Sequence, residues 1–385
     1  MDKDNKLAVL VSCFDWYEKR LIYIDNYLKK KGYSVLILTS DYSHVKKKKN
    51  THLSSVANVK YIEVPEYRRN ISGKRLYSHY IFAKRVEECI KKELPVLVYS
   101  LIPPNYLLHI LKKQKEIIRY KLIVDIIDLW PESFPYGKRD IFPFCYWRNL
   151  RNKNLAYVDL AVVECDLYRK QIDKYIDAKK IHTLYLIEKP LEFGLMTDKD
   201  TVSNNKIVLG YLGSINSLID ITRICQVVSI LQKVNPVKVE IVGCGEKSDE
   251  LISTLKKFNC EVNYYGAVFD EKEKYRIFKK CNFGINIYKN NVQIGLTIKS
   301  IDYFKYGLPV LNTIQGDTQS IIDKYSAGIN INELSESEFI EKIQQTTFSR
   351  EKIKQMFDEL FNEEGIYKRL EFIDEVTNYK QSREF

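Results

Sequence analysis

Lys206-Ile207-Val208-Leu209-Gly210-Tyr211-Leu212-Gly213-Ser214-Ile215-Asn216 is an apolar run without polar alternation that stops on a Gly-Ser turn. A strand that is apolar on both faces belongs in a parallel sheet covered by helices on each side. Upstream, the pattern has already run once: Leu7–Ser12, a helical stretch from about Glu18 to Lys31, then Ser34–Thr39, Val59–Val64, Val96–Ser100, Lys121–Ile126 and Leu160–Glu164. Downstream it continues through Val237–Val242, Val262–Tyr265, Phe283–Ile287 and Pro309–Asn312 and closes in helices. The expected fold is therefore α/β, two doubly wound Rossmann-like domains facing a cleft. Residues 1–188 form the first domain, the polar segment 189–205 the linker, and 206–365 the second domain. Residues 366–385 read as a final helix with a route back to the first domain. Ligands of such sheets sit beyond the carboxyl ends of the strands.

A chain of 385 residues with 45% hydrophobic content is long enough for two or three domains with sizeable cores. No run approaches the roughly 20 apolar residues of a membrane span, and the N-terminus enters a strand without a signal-peptide core, so a cytoplasmic protein is expected. The eight cysteines are scattered without a Cys-x-x-Cys pair and the five histidines stand apart, which argues for reduced thiols and against zinc. Residues 1–190 hold 36 Lys and Arg against 22 Asp and Glu, a net +14, while the rest hold 25 against 28, a net −3. The first half should therefore be drawn to an anionic partner. Nucleic acid, an anionic lipid surface and a phosphate-bearing acceptor all qualify, but without a nucleic-acid module the last two rank higher.

The turns after the second domain's strands carry the chemistry. Gly213 and Ser214 could hold an anion on backbone amides and a helix N-terminus, or form a plain capped turn. Val242-Gly243-Cys244-Gly245-Glu246 reads as packing clearance beside a helix starting near Ser248, with room for a nucleotide edge. Ala267 and Val268, in Tyr265-Gly266-Ala267-Val268, could border a base. In Gly295-Leu296-Thr297-Ile298-Lys299-Ser300-Ile301-Asp302-Tyr303-Phe304-Lys305-Tyr306-Gly307-Leu308-Pro309-Val310-Leu311, Lys299 and Asp302 share a helical face. That face suits a phosphate and a sugar hydroxyl, or it is an ordinary surface ion pair. Four glycine turns at one end of one sheet favour a nucleotide.

In this order the motifs resemble the C-terminal half of the group 1 family of retaining glycosyltransferases, which have the GT-B fold. The resemblance covers residues 206 to about 330 and is tightest over Thr297–Val310, which is similar to the family's Pro-Ser/Thr-Lys-x-x-Glu-Tyr-x-x-x-Gly-x-Pro-Val. It implies that Gly213, Ser214 and Lys299 hold the diphosphate of a sugar nucleotide and that Asp302 meets the ribose. Gly243, Ala267 and Val268 would border the base, and Gly295, Leu296 and Thr297 would form the donor loop. It implies no metal and no cofactor beyond the nucleotide-sugar substrate. Many relatives carry two glutamates eight residues apart; here Ile294 stands at the first position and Asp302 at the second.

In the first domain, Asp125-Ile126-Ile127-Asp128-Leu129-Trp130-Pro131-Glu132-Ser133-Phe134 resembles the Asp-x-Trp-Pro-Glu-Ser loop of polysaccharide-assembling members. Asp128 and Glu132 are the candidate catalytic acids, positioning acceptor hydroxyl or sugar. Alternatively Trp130 packs against the neighbouring domain and Glu132 caps a helix. Asp15, Trp16, Arg20 and Trp130 are assigned to the acceptor side, with Arg20 meeting a phosphate. The expected activity is transfer of a sugar from a nucleoside-diphosphate donor to a lipid-linked acceptor glycan in cell-surface polysaccharide biosynthesis, at the inner membrane face. Two rivals stand beside it: a catalytically silent GT-B subunit, motivated by Ile294, and a sugar-nucleotide epimerase, which would want acids and histidines clustered.

Overall fold

The computed structural model describes residues 6–14, 18–44, 46–50, 58–69, 72–133, 141–191, 206–292 and 294–377. Two compact units divide the chain, the first comprising Met1–Leu186 with Gly365–Phe385 and the second Ile187–Glu364. The chain thus returns to its first unit at the end, one residue before the expected boundary. The expected linker lies largely outside the described residues, although its first neighbour, Glu188, is tied by its amide to the Phe361 carbonyl at 3.0 Å.

In the first unit, strands β1 (Lys6–Ser12), β2 (Tyr33–Ser40), β5 (Val59–Ile62), β6 (Leu97–Ile102), β7 (Lys121–Ile126), β8 (Leu160–Val163) and β9 (Ile181–Thr183) form a parallel sheet. Its order is β5-β2-β1-β6-β7-β8-β9, and β3 (Tyr42–Ser43) and β4 (Lys48–Lys49) make a small hairpin after β2. The helices are α1 (Glu18–Lys30), α2 (Gly73–Glu93), α3 (Asn105–Ile118), α4 (Phe144–Leu155) and α5 (Asp166–Ile172). Every residue of β6 is buried, as continuous apolar sequence demands of a central parallel strand. Leaving β1 for β2 and leaving β6 for β7 carry the chain in opposite directions, so the sheet switches between β1 and β6.

The second unit repeats the plan with β10 (Ile207–Leu212), β11 (Val237–Val242), β12 (Glu261–Tyr264), β13 (Phe283–Asn286), β14 (Val310–Asn312) and β15 (Gly328–Asn330), ordered β12-β11-β10-β13-β14-β15. Its helices are α6 (Ile221–Leu231), α7 (Ser248–Lys257), α8 (Glu271–Phe278), α9 (Ile298–Lys305), α10 (Asp317–Tyr325), α11 (Glu336–Gln345) and α12 (Arg350–Leu360). Side-chain caps start several of them: Asp220 accepts from the Arg223 amide, Thr297 from Ser300, and Ser335 with Glu338 forms a capping box. Two mid-strand glycines let helices close on this sheet. A Cβ on Gly210 would stand 2.7 Å from the Phe278 ring and one on Gly284 2.6 Å from the Tyr303 ring. The last described helices are α13 (Ile366–Arg369) and α14 (Phe372–Thr377); Leu370 between them and Phe372 and Ile373 of α14 are buried in the first unit. Among the described residues no helix is long and apolar enough to cross a membrane.

Candidate functional site

The switch point of the second sheet lies between β10 and β13, and the loops leaving those two strands build the site. Gly213 follows β10 with φ +102°, and its amide donates to the Val242 carbonyl at 2.8 Å. Gly243, with φ +140°, donates to the Gly266 carbonyl at 2.6 Å. A Cβ on Gly243 would lie 1.9 Å from the Gly213 carbonyl oxygen, so only glycine lets these two turns meet. The clearance role expected for Gly243 and Gly245 is what the backbone shows. Ser214 is exposed on the same turn, and Ala267 and Val268 follow Gly266 as exposed and half-buried residues. One expectation needs correcting here: α6 begins only at Ile221, so Gly213 and Ser214 do not sit on its N-terminus.

The end of α9 that approaches this turn does so through Lys299. Gly295, Leu296 and Thr297 are buried, and the Gly295 carbonyl accepts from both the amide and the hydroxyl of Thr318 at 2.8 Å. Thr297 caps α9 and donates its hydroxyl to Asn286 Oδ1 at 3.1 Å. Asn286 in turn donates to Asn312 Oδ1 at 2.7 Å, and Asn312 to Asn330 Oδ1 at 2.8 Å, a ladder across the ends of β13, β14 and β15. This ladder escaped the sequence reading because three asparagines in three strands align only through register.

Lys299 is 7% exposed, and its Nζ has no hydrogen-bond partner among the described residues. The ammonium stands 3.9 Å from the Tyr211 ring centroid and 5.0 Å from that of Tyr288. Its Cε comes within 3.6 Å of where a Gly213 Cβ would be. Burial lowers its pKa to about 7, because the aromatic faces offset only part of the lost hydration. Asp302, one turn on, pairs with Lys305 at 3.4 Å, and burial raises it to about 6 against the opposing charges of Lys305 and Lys274. Lys305 is held on its other side by Glu271 at 2.9 Å. The helix is thus neither the plain surface helix nor the i,i+3 Lys299–Asp302 ion pair of the bland reading.

In the first unit the structure sorts the candidates. Arg20 is buried in a bidentate pair with Asp125 at 2.6 and 2.9 Å and donates to the Leu184 carbonyl at 2.9 Å. That guanidinium holds β7 and the end of β9 together, so the expected phosphate contact is corrected to a structural one. Glu132 neither caps a helix nor stands open: Arg151 holds both its oxygens at 2.8 and 2.9 Å. Asp128 accepts from the Trp130 indole at 2.6 Å, and burial raises its pKa. Trp130 packs inside the first unit, stacked on His79 at 5.9 Å and facing the Arg75 guanidinium at 4.4 Å. Asp15 and Trp16 lie outside the described residues. Arg75 and His79 went unread because nothing in a helical sequence says which of its cations turns inward.

Residues 206–347 match the model of the family described as glycosyl transferases group 1. The second unit is a group 1 glycosyltransferase domain. Across both units the chain shares its fold, GT-B, with the solved glycosyltransferases that it resembles. It is similar to the lipopolysaccharide outer core galactosyltransferase WaaB in its apo form, with a TM-score of 0.68 over 97% of this chain and 99% of that one at 12% identity. HepE of Anabaena in complex with UDP gives 0.65 over 97% and 100% at 13%, and a glycosyltransferase from Rickettsia africae 0.64 over 97% and 99% at 17%. At such identities the likeness is one of fold. No curated protein sequence matches the chain. Within the glycosyltransferase domain, Gly213, Ser214, Lys299 and Asp302 all lie at the carboxyl edge of the sheet, beside its switch point. Among the described residues, no three His, Cys, Asp or Glu side chains are grouped to hold a metal ion.

Proposed function

We propose that the enzyme transfers a sugar from a nucleoside-diphosphate sugar to an acceptor glycan that is lipid-linked, with retention of configuration, in cell-surface polysaccharide assembly. The observation that carries the donor assignment is Lys299, a buried ammonium without a hydrogen-bond partner among the described residues, beside a positive-φ glycine at the switch point. A lone buried cation is costly, and a diphosphate is the ligand that would satisfy it. HepE, of the same fold, has been crystallised with UDP and with UDP-glucose, which supports the class of donor. In this reading Gly213, Ser214 and Lys299 stabilise the departing diphosphate, so the counter-charge comes from the protein rather than from a metal. Asp302 meets the ribose, and Gly243, Ala267 and Val268 border the base. Asp128 is the acid kept for positioning the acceptor hydroxyl, while Glu132 supports its loop through Arg151. The basic first unit would rest on an anionic leaflet at the cytoplasmic face of the membrane.

A thermal-shift panel of nucleotides and nucleotide sugars tests the donor site. A nucleoside diphosphate should raise Tm, and Lys299→Ala and Asp302→Ala should abolish the shift. Intact stabilisation in both variants would sink the assignment. Binding without hydrolysis or transfer of any sugar nucleotide would instead point to a silent subunit, the reading that Ile294 keeps alive.

A further inference from the structure

The carboxyl edge of the first unit's sheet gathers positive charge around a single aromatic ring, that of Tyr67, in the segment between β5 and α2. Lys47, in the turn between β3 and β4, holds its Nζ 5.3 Å from the Tyr67 centroid. Arg75, in the first turn of α2, holds its guanidinium 5.8 Å from the same centroid. His44 Nδ1 stands 2.8 Å from the Tyr67 hydroxyl and 3.4 Å from Lys47 Nζ. Behind them Arg75 Nε donates to His79 Nε2 at 3.5 Å, a geometry that requires a neutral imidazole there. Burial lowers the pKa of both cations, and the charge of Arg75 lowers that of Lys47 further. Tyr67, Cys13 and Asp128 favour the Arg75 charge.

Two of these residues, His79 and Trp130, also line a cavity of about 330 Å³. Its remaining walls include Leu76, Tyr80, Tyr106 and Tyr146, and no Lys, Arg, Asp or Glu faces it among the described residues. A cationic cluster joined to an uncharged, aromatic-walled cavity through the shared rings of His79 and Trp130 matches an anion attached to an apolar body. Leu76, Leu150, Pro104 and the aromatic faces supply the apolar part of this wall, while nucleic acid would want an extended basic track.

We propose that Arg75, Lys47 and His44 form a phosphate subsite for the acceptor, with the adjoining cavity taking the first part of an apolar chain attached to that phosphate. This rests on the reading of the acceptor as lipid-linked and names where its phosphate sits. The guanidinium, stacked on Trp130 and Tyr67, is pre-oriented, while half-buried Lys47 and His44 remain within reach of solvent. No bond is made or broken at this subsite. Its role is to position the acceptor.

Calorimetric titration of the full-length chain with inorganic pyrophosphate and with geranyl pyrophosphate tests this, carried out in Lys299→Ala so that the donor site is silent. Geranyl pyrophosphate should bind at least about tenfold more tightly than pyrophosphate, and Lys47→Gln and Arg75→Gln should each weaken both probes about tenfold or more. Tyr80→Ala should weaken only the geranyl compound. Because Arg75 is buried and its replacement can disturb folding, Lys47→Gln and the His44 ring resonances, which should titrate at higher pH once pyrophosphate is bound, keep the test decisive. Unchanged affinities in Lys47→Gln, or equal binding of the two probes, overturn the proposal. Nucleoside-diphosphate binding by the unmodified chain is measured separately, so failure here leaves the donor assignment standing and failure there leaves this one.

Discussion

At the scale of single residues, Lys299 concentrates most of what the donor site can be asked. Hydrogen bonds to charged groups contribute about 1.5–3 kcal/mol, so Lys299→Ala should weaken nucleoside-diphosphate binding by about 10- to 100-fold in a calorimetric titration. The direction of the pH effects follows from its lowered pKa, about 7 against the ordinary 10.5. Between those values the folded chain binds fewer protons at this site than the unfolded chain, so this group makes stability rise with pH across that window. Below about 7 the cost of the buried charge is complete. Lys299→Met should therefore raise Tm at pH 6 and raise it progressively less towards pH 10. Binding of a diphosphate should draw a proton onto the amine, so affinity should fall as pH climbs above about 7, with proton uptake visible when buffers of different ionisation enthalpy are compared. Cys244 offers an independent probe, since it is the one exposed cysteine and lies between the two clearance glycines. Its modification by a thiol reagent should be slowed by bound nucleotide; equal rates with and without nucleotide would place the ligand away from this turn.

At the scale of elements, the site depends on turns that touch and on a helix held at its cap. Gly243→Ala puts a methyl group onto the Gly213 carbonyl and forces a side chain into a positive-φ conformation, which should cost roughly 2 kcal/mol or more and loosen nucleotide binding. Asn312→Leu removes the middle rung of the asparagine ladder and strands the Asn286 amide and the Asn330 carbonyl. A loss of about 1–3 kcal/mol per unsatisfied group is expected in urea denaturation. The strands and the α9 motif were legible beforehand because burial on both faces and a glycine-bounded helix leave marks in local sequence. The cap at Thr297 was visible only as part of a family motif, and its tether to Asn286 not at all, since that bond joins residues whose proximity depends on β13 leading into the α9 loop.

At the scale of the whole molecule, the first unit is closed by the last described helices of the chain. Tyr367 stacks on Tyr27 at 6.4 Å, Asp374 pairs with Lys31 at 2.5 Å, and His182 stacks on Phe372 at 5.1 Å. Truncation after Gly365 should lower the melting transition of the first unit and leave that of the second in place in a calorimetric scan; a matched drop in both would show that the units do not unfold separately. The sequence by itself determined the two parallel sheets, the order of the glycine turns and the glycosyltransferase motif, because period, turn residues and short motifs are local properties of a chain. Only the tertiary structure decided what each charge does. It buried Arg20 against Asp125 and bound Glu132 to Arg151, turned Arg75 and His44 towards Tyr67, and set the Lys299 ammonium against the rings of Tyr211 and Tyr288. A charge is assigned by its desolvation and its nearest counter-charge, and those neighbours come from strands and helices far apart in sequence.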